Sequence, residues 1–179
     1  MGQVDPDRLV FLDESGLDTR LTRAYARAPG GRRATGRVPG GHWRRLTILG
    51  ALARTGLVAV MTVAAATSTA VFLAFVEGVL VPALHARPGA MVVMDNLAPH
   101  RAAAVRDAFN RAGLAHRYLP AYSPDMNPIE PCWSKLKGKL RDAAPRTIEA
   151  LDAALPDALG AITPEDARAW FRHCGYRST

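Results

Sequence analysis

The order strand, helix, strand between residues 90 and 120 constrains the fold more than any other feature. "AMVVMD" is a short apolar run of strand length. His100 to Ala112 carries apolar residues at helical spacing and is closed by Gly113 at the C′ position, and "AHRYLP" forms a further strand. Two strands joined by a crossover helix lie parallel in one sheet. Upstream, "RLVFLDES" predicts a first strand over Leu9 to Leu12, ending on Asp13 and Glu14. "LTILGALA" and "LVAVMTVAA" then predict a hairpin turning at Gly56. Thr69 to Leu84 reads as a helix with Thr67, Ser68 or Thr69 as N-cap and Pro82 near its end. "SPDMNP" opens a helix to about Leu140, and Thr147 to Phe171 gives two short helices, the second with Thr163 as N-cap and Pro164 at the first position. The expected architecture is α/β: a mixed five-stranded sheet, a three-strand meander followed by parallel strands, flanked by helices. The 179 residues suit one domain, with a basic loop insertion at about 20–45 and a helical tail at about 147–179.

A carboxylate next to a buried strand is costly unless its charge is compensated. Asp13 and Asp95 both follow apolar strands, and ligands gather at the carboxyl ends of adjacent parallel strands. If the first and fourth strands are neighbours, the two acids repel unless one is protonated or a divalent cation lies between them; hard oxygen donors suit Mg²⁺ or Mn²⁺. For Asp95 alone, a helix N-cap or turn role is the competing reading.

A third acid, Glu130, lies in "SPDMNPIEPCWSKLK". Ile129, Cys132, Trp133, Leu136 and Leu140 form one apolar stripe, and Glu130 falls roughly 100° from its centre, at the rim of the core. Lys137 and Arg141 return to nearly the same face. The alternative is a capping box, with Asn127 as N-cap, Pro128 at N1 and Glu130 at N3.

Lys and Arg outnumber Asp and Glu by 23 to 16, which gives a net charge of +7 and points to a polyanionic partner. That partner is nucleic acid first and an anionic membrane second. The arginine-rich loop supplies Arg27, Arg32, Arg33 and Arg37 as candidate contacts to it, with His42 and Trp43 closing the loop. His100, Lys137 and Arg141 complete that set, as DNA contacts on the resemblance given below. Cys132 and Cys174 have no metal-ligand spacing, which argues for a reducing compartment. No signal segment or membrane span is expected, and a cytoplasmic location follows. Glu14 is expected to point away from Asp13 because adjacent strand residues face opposite sides. Asp125 is expected to shape the loop before the last core helix, and Trp133 to lie in the core.

"FLDES", "VVMDN" and "YSPDMNPIEPCWSKLK" resemble the three catalytic motifs of DDE transposases of the mariner superfamily, closest to its bacterial insertion-sequence branch. The 34 residues between Asp95 and Glu130 match that superfamily's spacing, and the resemblance runs from Arg8 to the closing "WFRHCGYRST". It implies an RNase H-like fold, with Asp13, Asp95 and Glu130 as a catalytic triad holding two Mg²⁺ ions, for which Mn²⁺ substitutes. It also implies DNA cleavage and strand transfer on transposon ends and target, in a homodimer contacting through the long loop, in a bacterial cytoplasm. Such transposases carry an N-terminal helix-turn-helix region ahead of the first catalytic strand. Its absence here is read as the catalytic half of a split transposase, served by a separate helix-turn-helix polypeptide, or as a truncated copy. The competing readings are an RNase H-like nuclease with another nucleic-acid substrate and a non-catalytic DNA-binding remnant.

Overall fold

The structure, a computed structural model, describes residues 4–23, 25–36, 38, 40 and 43–177. Five strands form one sheet in the order β3-β2-β1-β4-β5. They are β1 (Leu9–Asp18), β2 (Arg45–Ala53), β3 (Gly56–Val63), β4 (Met91–Met94) and β5 (Ala115–Tyr118). The first three make the antiparallel meander, and β4 and β5 add in parallel. The β2–β3 hairpin turns over Arg54 and Thr55, and Gly56 takes the positive φ of 116° that the chain needs to re-enter the ladder.

The first strand is longer than its apolar run. β1 continues through Asp13, Glu14, Ser15 and Gly16 to Asp18, residues of poor strand propensity. The ladder with β2 carries it, pairing Asp13 with Gly50 and Asp18 with Arg45, whereas pairing with β4 stops at Leu12 opposite Met94. Asp13 is therefore not at a strand end. It stands at the point where β1 loses its parallel neighbour and keeps its antiparallel one.

Helices cover both faces. On one side lie α1 (Thr69–Phe75), a π-helical turn (Val76–Leu80), α2 (Val81–Leu84) and α3 (Ala103–Arg111); on the other lie α4 (Ile129–Ala143), α5 (Ile148–Gly160) and α6 (Pro164–His173). Alternation along β1 assigns side chains to the two cores. Leu9, Phe11 and Leu17 pack toward α4–α6, and Val10 and Leu12 toward α1–α3.

Ser68 caps α1, accepting from the Val71 N–H. The helix passes Pro82 without breaking: a proline clashes with the carbonyl four residues back. The preceding turn widens so that the Val81 N–H reaches the Val76 carbonyl instead. α3 starts three residues later than its spacing suggests, because residues 98–101 form tight turns first. It ends in a Schellman motif, with Leu114 N–H bonded to the Phe109 carbonyl, Gly113 N–H to that of Asn110, and Gly113 at φ 65°. Thr163 caps α6 in a reciprocal capping box with Asp166, which also pairs with Lys135 of α4. Among the described residues, no helix is long and apolar enough to cross a membrane.

Candidate active site

Asp13 shares the face of Leu9 and Phe11, so the pleat that builds the core also drives a carboxylate into it, 7% exposed. Trp133 makes this tolerable. Its indole Nε1 donates to Asp13 Oδ2 at 3.0 Å, across 120 positions of sequence. Trp133 belongs to the α4 stripe, whose five buried residues are the Ile129, Cys132, Trp133, Leu136 and Leu140 expected from spacing. The ring lies over Gly50, the β2 residue paired with Asp13, and a Cβ there would stand 2.5 Å from Trp133 Cη2. Burial, and then the negative charge of Glu130, push the Asp13 carboxyl up to about 7; Glu14 and Asp95 act in the same direction, against the Glu14 backbone N–H.

Asp95 follows Met94, the last paired residue of β4, and is half-buried. Its Oδ1 accepts from the Leu97 N–H at 3.1 Å and stands 2.5 Å from His100 Nδ1, bent away from ideal hydrogen-bond geometry, so that contact is an ion pair. Burial raises the Asp95 carboxyl, but His100 and the Leu97 N–H outweigh it and hold it below its ordinary value. The other imidazole nitrogen, Nε2, lies 2.8 Å from Oε2 of Glu14. Burial would lower the His100 pKa, yet the two carboxylates raise it to about 9, so the ring carries both protons at neutral pH. Glu14 faces away from Asp13, as the strand alternation requires, and this is the partner it finds.

Glu130 lies in the first turn of α4, exposed and without a hydrogen bond or ion pair among the described residues. The capping box does not form. Pro128 occupies the cap position, no side chain caps the helix, and the Asn127 Oδ1 is buried without a hydrogen-bond partner. Asp13, Asp95 and Glu130 nevertheless line one cleft of ≈ 370 Å³, together with Asn127 and the loop after β5. At its lip Tyr122 is fully exposed at φ 58°, a left-handed conformation unusual for a residue with a Cβ.

Among the described residues, no three acidic, histidine or cysteine side chains converge tightly enough to enclose one ion. The donor set still fits a hard divalent cation. Mg²⁺ binds through one or two carboxylates and fills its shell with water and phosphate oxygens, and Asp13, Asp95 and Glu130 offer three carboxylates along one cleft.

The cationic residues are spread more widely. Lys137 is half-buried on α4; burial lowers its pKa while the charges of Glu130 and Asp13 oppose this, which puts it beside the acidic cleft. Arg141 is half-buried one turn further on. Arg27, Arg32 and Arg33 are exposed on the loop between β1 and β2; Arg37 and His42 lie outside the described residues. That loop is anchored by the Arg23–Asp142 ion pair and by Arg20, whose guanidinium sits 3.5 Å over the Trp43 ring. His100 does not suit a phosphate contact, because its side chain is 0% exposed and both ring nitrogens face protein carboxylates. Sequence reasoning passed over the Trp133–Asp13 bond, the space left by Gly50 and the Glu14–His100 pair. Only the last had a local signal, in Glu14's opposite-facing register.

A mixed 3-2-1-4-5 sheet with acids on its central strand, at the end of the adjacent strand and on a covering helix is an RNase H-like fold. The family profile described as DDE superfamily endonuclease matches residues 8–152, and the chain belongs to that family. Among solved structures, the chain resembles Mos1 transposase in a paired-end complex with the left transposon end, at a TM-score of 0.76 and 20% identity, over 94% of this chain and 52% of that one. It also resembles the catalytic domain of Mos1 mariner transposase (TM-score 0.71, 16% identity, 94% and 78% covered) and the Mos1 paired-end complex with Mn (0.74, 18%, 94% and 53%). At these identities the likeness speaks to the fold alone, and the chain spans about half the length of the Mos1 chains in the complexes. No curated protein sequence matches it.

Proposed function

We propose that this chain is the catalytic domain of a mariner-superfamily transposase of the bacterial insertion-sequence branch, cleaving DNA at transposon ends and joining the freed 3′ ends to target DNA. The observation that carries the reading is the convergence of Asp13, Asp95 and Glu130 on one cleft from three separate elements. Mos1 transposase, which shares the fold, has been solved with transposon ends and with Mn or Mg, and both the DNA substrate and the metal dependence are carried over from it.

Asp13, Asp95 and Glu130 would together hold two Mg²⁺ ions (or Mn²⁺) in the cleft they line. When bound, such ions supply Lewis acidity, lowering the pKa of an attacking water or 3′-hydroxyl and stabilising the departing oxygen. The protein positions the ligands. Trp133 holds Oδ2 of Asp13, and His100 with Leu97 holds Oδ1 of Asp95. Glu130, without a hydrogen bond or ion pair among the described residues, would be the third ligand. Lys137 and Arg141, on the same helix as Glu130, would meet the DNA backbone, joined by Arg27, Arg32, Arg33 and Arg37 of the basic loop. A homodimer, a separate helix-turn-helix polypeptide for end recognition and a bacterial cytoplasmic setting belong to the same reading.

The test is a cleavage assay with Mg²⁺, with Mn²⁺ and with chelator, on duplexes bearing transposon ends, an RNA–DNA hybrid and a branched junction. DNA scission that needs metal and falls by orders of magnitude in Asp13→Asn, Asp95→Asn and Glu130→Gln supports the proposal. Preference for the hybrid or junction would reassign the substrate. A folded protein that cuts nothing with either metal would favour a DNA-binding remnant.

A further inference from the structure

The second acid of the cleft has no sheet ladder to hold it. β4 pairs only over Met91–Met94, and Asp95 is the first residue beyond. Among the described residues its polar contacts, Leu97 N–H and His100 Nδ1, both engage Oδ1. His100 is itself fixed on every side. Nε2 meets Glu14 Oε2 at 2.8 Å, the ring lies against Phe72 with centroids 4.1 Å apart, and Tyr118 Oη donates to the His100 carbonyl at 3.1 Å. Glu14 is the β1 residue next to Asp13. A chain of contacts therefore runs from the strand bearing the first acid, through Glu14 and His100, to the second.

We infer that His100 is a positioning residue which, anchored by Glu14, pins Oδ1 of Asp95 and so presents Oδ2 to a divalent cation in the cleft. The inference rests on the metal-dependent reading above. A carboxylate held by one oxygen has one rotational state to lose on binding an ion, and removing such an outer partner lowers metal affinity or activity by about 10–100-fold.

The alternative is that His100 only ties the loop to the sheet. Two isosteres separate the roles. The amide nitrogen of His100→Asn stands near Nδ1 and keeps a donor for Asp95, while that of His100→Gln stands near Nε2 and keeps a donor for Glu14. Both lose the ring contact with Phe72, so both lower Tm similarly. In the full chain, with Mn²⁺ binding followed by electron paramagnetic resonance without DNA, His100→Gln should weaken binding about 10–100-fold. His100→Asn, which keeps the donor to Asp95 and loses only the Glu14 anchor, should weaken it less, by a few-fold. In cleavage assays the same split should appear in kcat, with KM for DNA unchanged. Equal Mn²⁺ affinities in the two variants would overturn the positioning role while leaving the metal site intact. Should both variants fail to fold, Glu14→Ala and Glu14→Gln replace them: Glu14→Ala should weaken Mn²⁺ binding and Glu14→Gln, which still accepts from Nε2, should not. Equal affinities in that pair would overturn the role too. A parent protein that binds no Mn²⁺ would sink this inference together with the proposed function, whereas a parent that binds and cleaves isolates the question to His100.

Discussion

Replacing Asp13 by Asn should make the metal-free protein more stable at neutral and alkaline pH, and the size of the gain follows from the site. Folded Asp13 titrates near 7 against an ordinary 3.8, chiefly because it is buried and because Glu130 lies close. A group that binds its proton more tightly when folded favours folding below its unfolded pKa and loses that advantage as pH rises through the folded value. Between pH 3.8 and 7 the folded state holds the extra proton, so stability falls with pH over this window. At 1.36 kcal/mol for each pKa unit, a difference of about 3 units amounts to about 4 kcal/mol lost by pH 8. Asparagine still accepts the Trp133 N–H and carries no charge, so the variant should lack this slope. Urea unfolding at a series of pH values from 4 to 8.5, with chelator present, measures the difference between the two proteins. His100 contributes its own fall between 6.5 and 9 in both proteins, so only the difference curve isolates Asp13. A difference that stays flat across the series would refute the argument that burial and neighbouring charge load this carboxylate. Excess Mn²⁺ should erase most of the difference, because it supplies the missing counter-charge.

Gly50→Ala should destabilise by about 2–4 kcal/mol, combining overpacking against a fully buried indole with loss of the Asp13 bond, and tryptophan fluorescence should report the displaced ring. Gly113→Ala should cost about 1 kcal/mol in thermal unfolding, since φ 65° strains any residue with a Cβ, and should leave DNA cleavage unaltered. Arg32→Ala combined with Arg33→Ala should reduce the salt dependence of DNA binding by a slope of about 2 in log Kd against log salt if both arginines meet phosphates, as read by fluorescence anisotropy between 50 and 200 mM salt.

The strand-helix-strand core and the acidic spacing were legible because they rest on local periodicity. Val92, Val93 and Met94 mark a buried strand in any setting, and the α4 stripe follows from 100° steps. The extension of β1 past Leu12 was not legible, since the apolar run stops there and the polar residues from Asp13 to Asp18 are held in the strand by β2. The π turn before Pro82 escaped for a related reason: sequence marks the proline but not how the preceding carbonyls will rearrange. The capping-box reading of Asn127 and Glu130 fitted the spacing and still did not form, because Pro128 rather than Asn127 takes the cap position. Tertiary pairs such as Trp133 with Asp13 join residues whose proximity only the finished sheet decides.

Asp13 and Glu14 are consecutive residues, yet one belongs to the layer of α4–α6 and the other faces α1–α3. A single peptide unit in the middle strand is thus the shared hinge pin of both halves of the molecule. A one-residue slip of β1 against β2 would turn each carboxylate to the opposite layer, setting Glu14 before the indole and moving Asp13 to the place of Leu12. The register of this strand, and not only the identity of its acids, therefore decides whether the cleft is assembled at all.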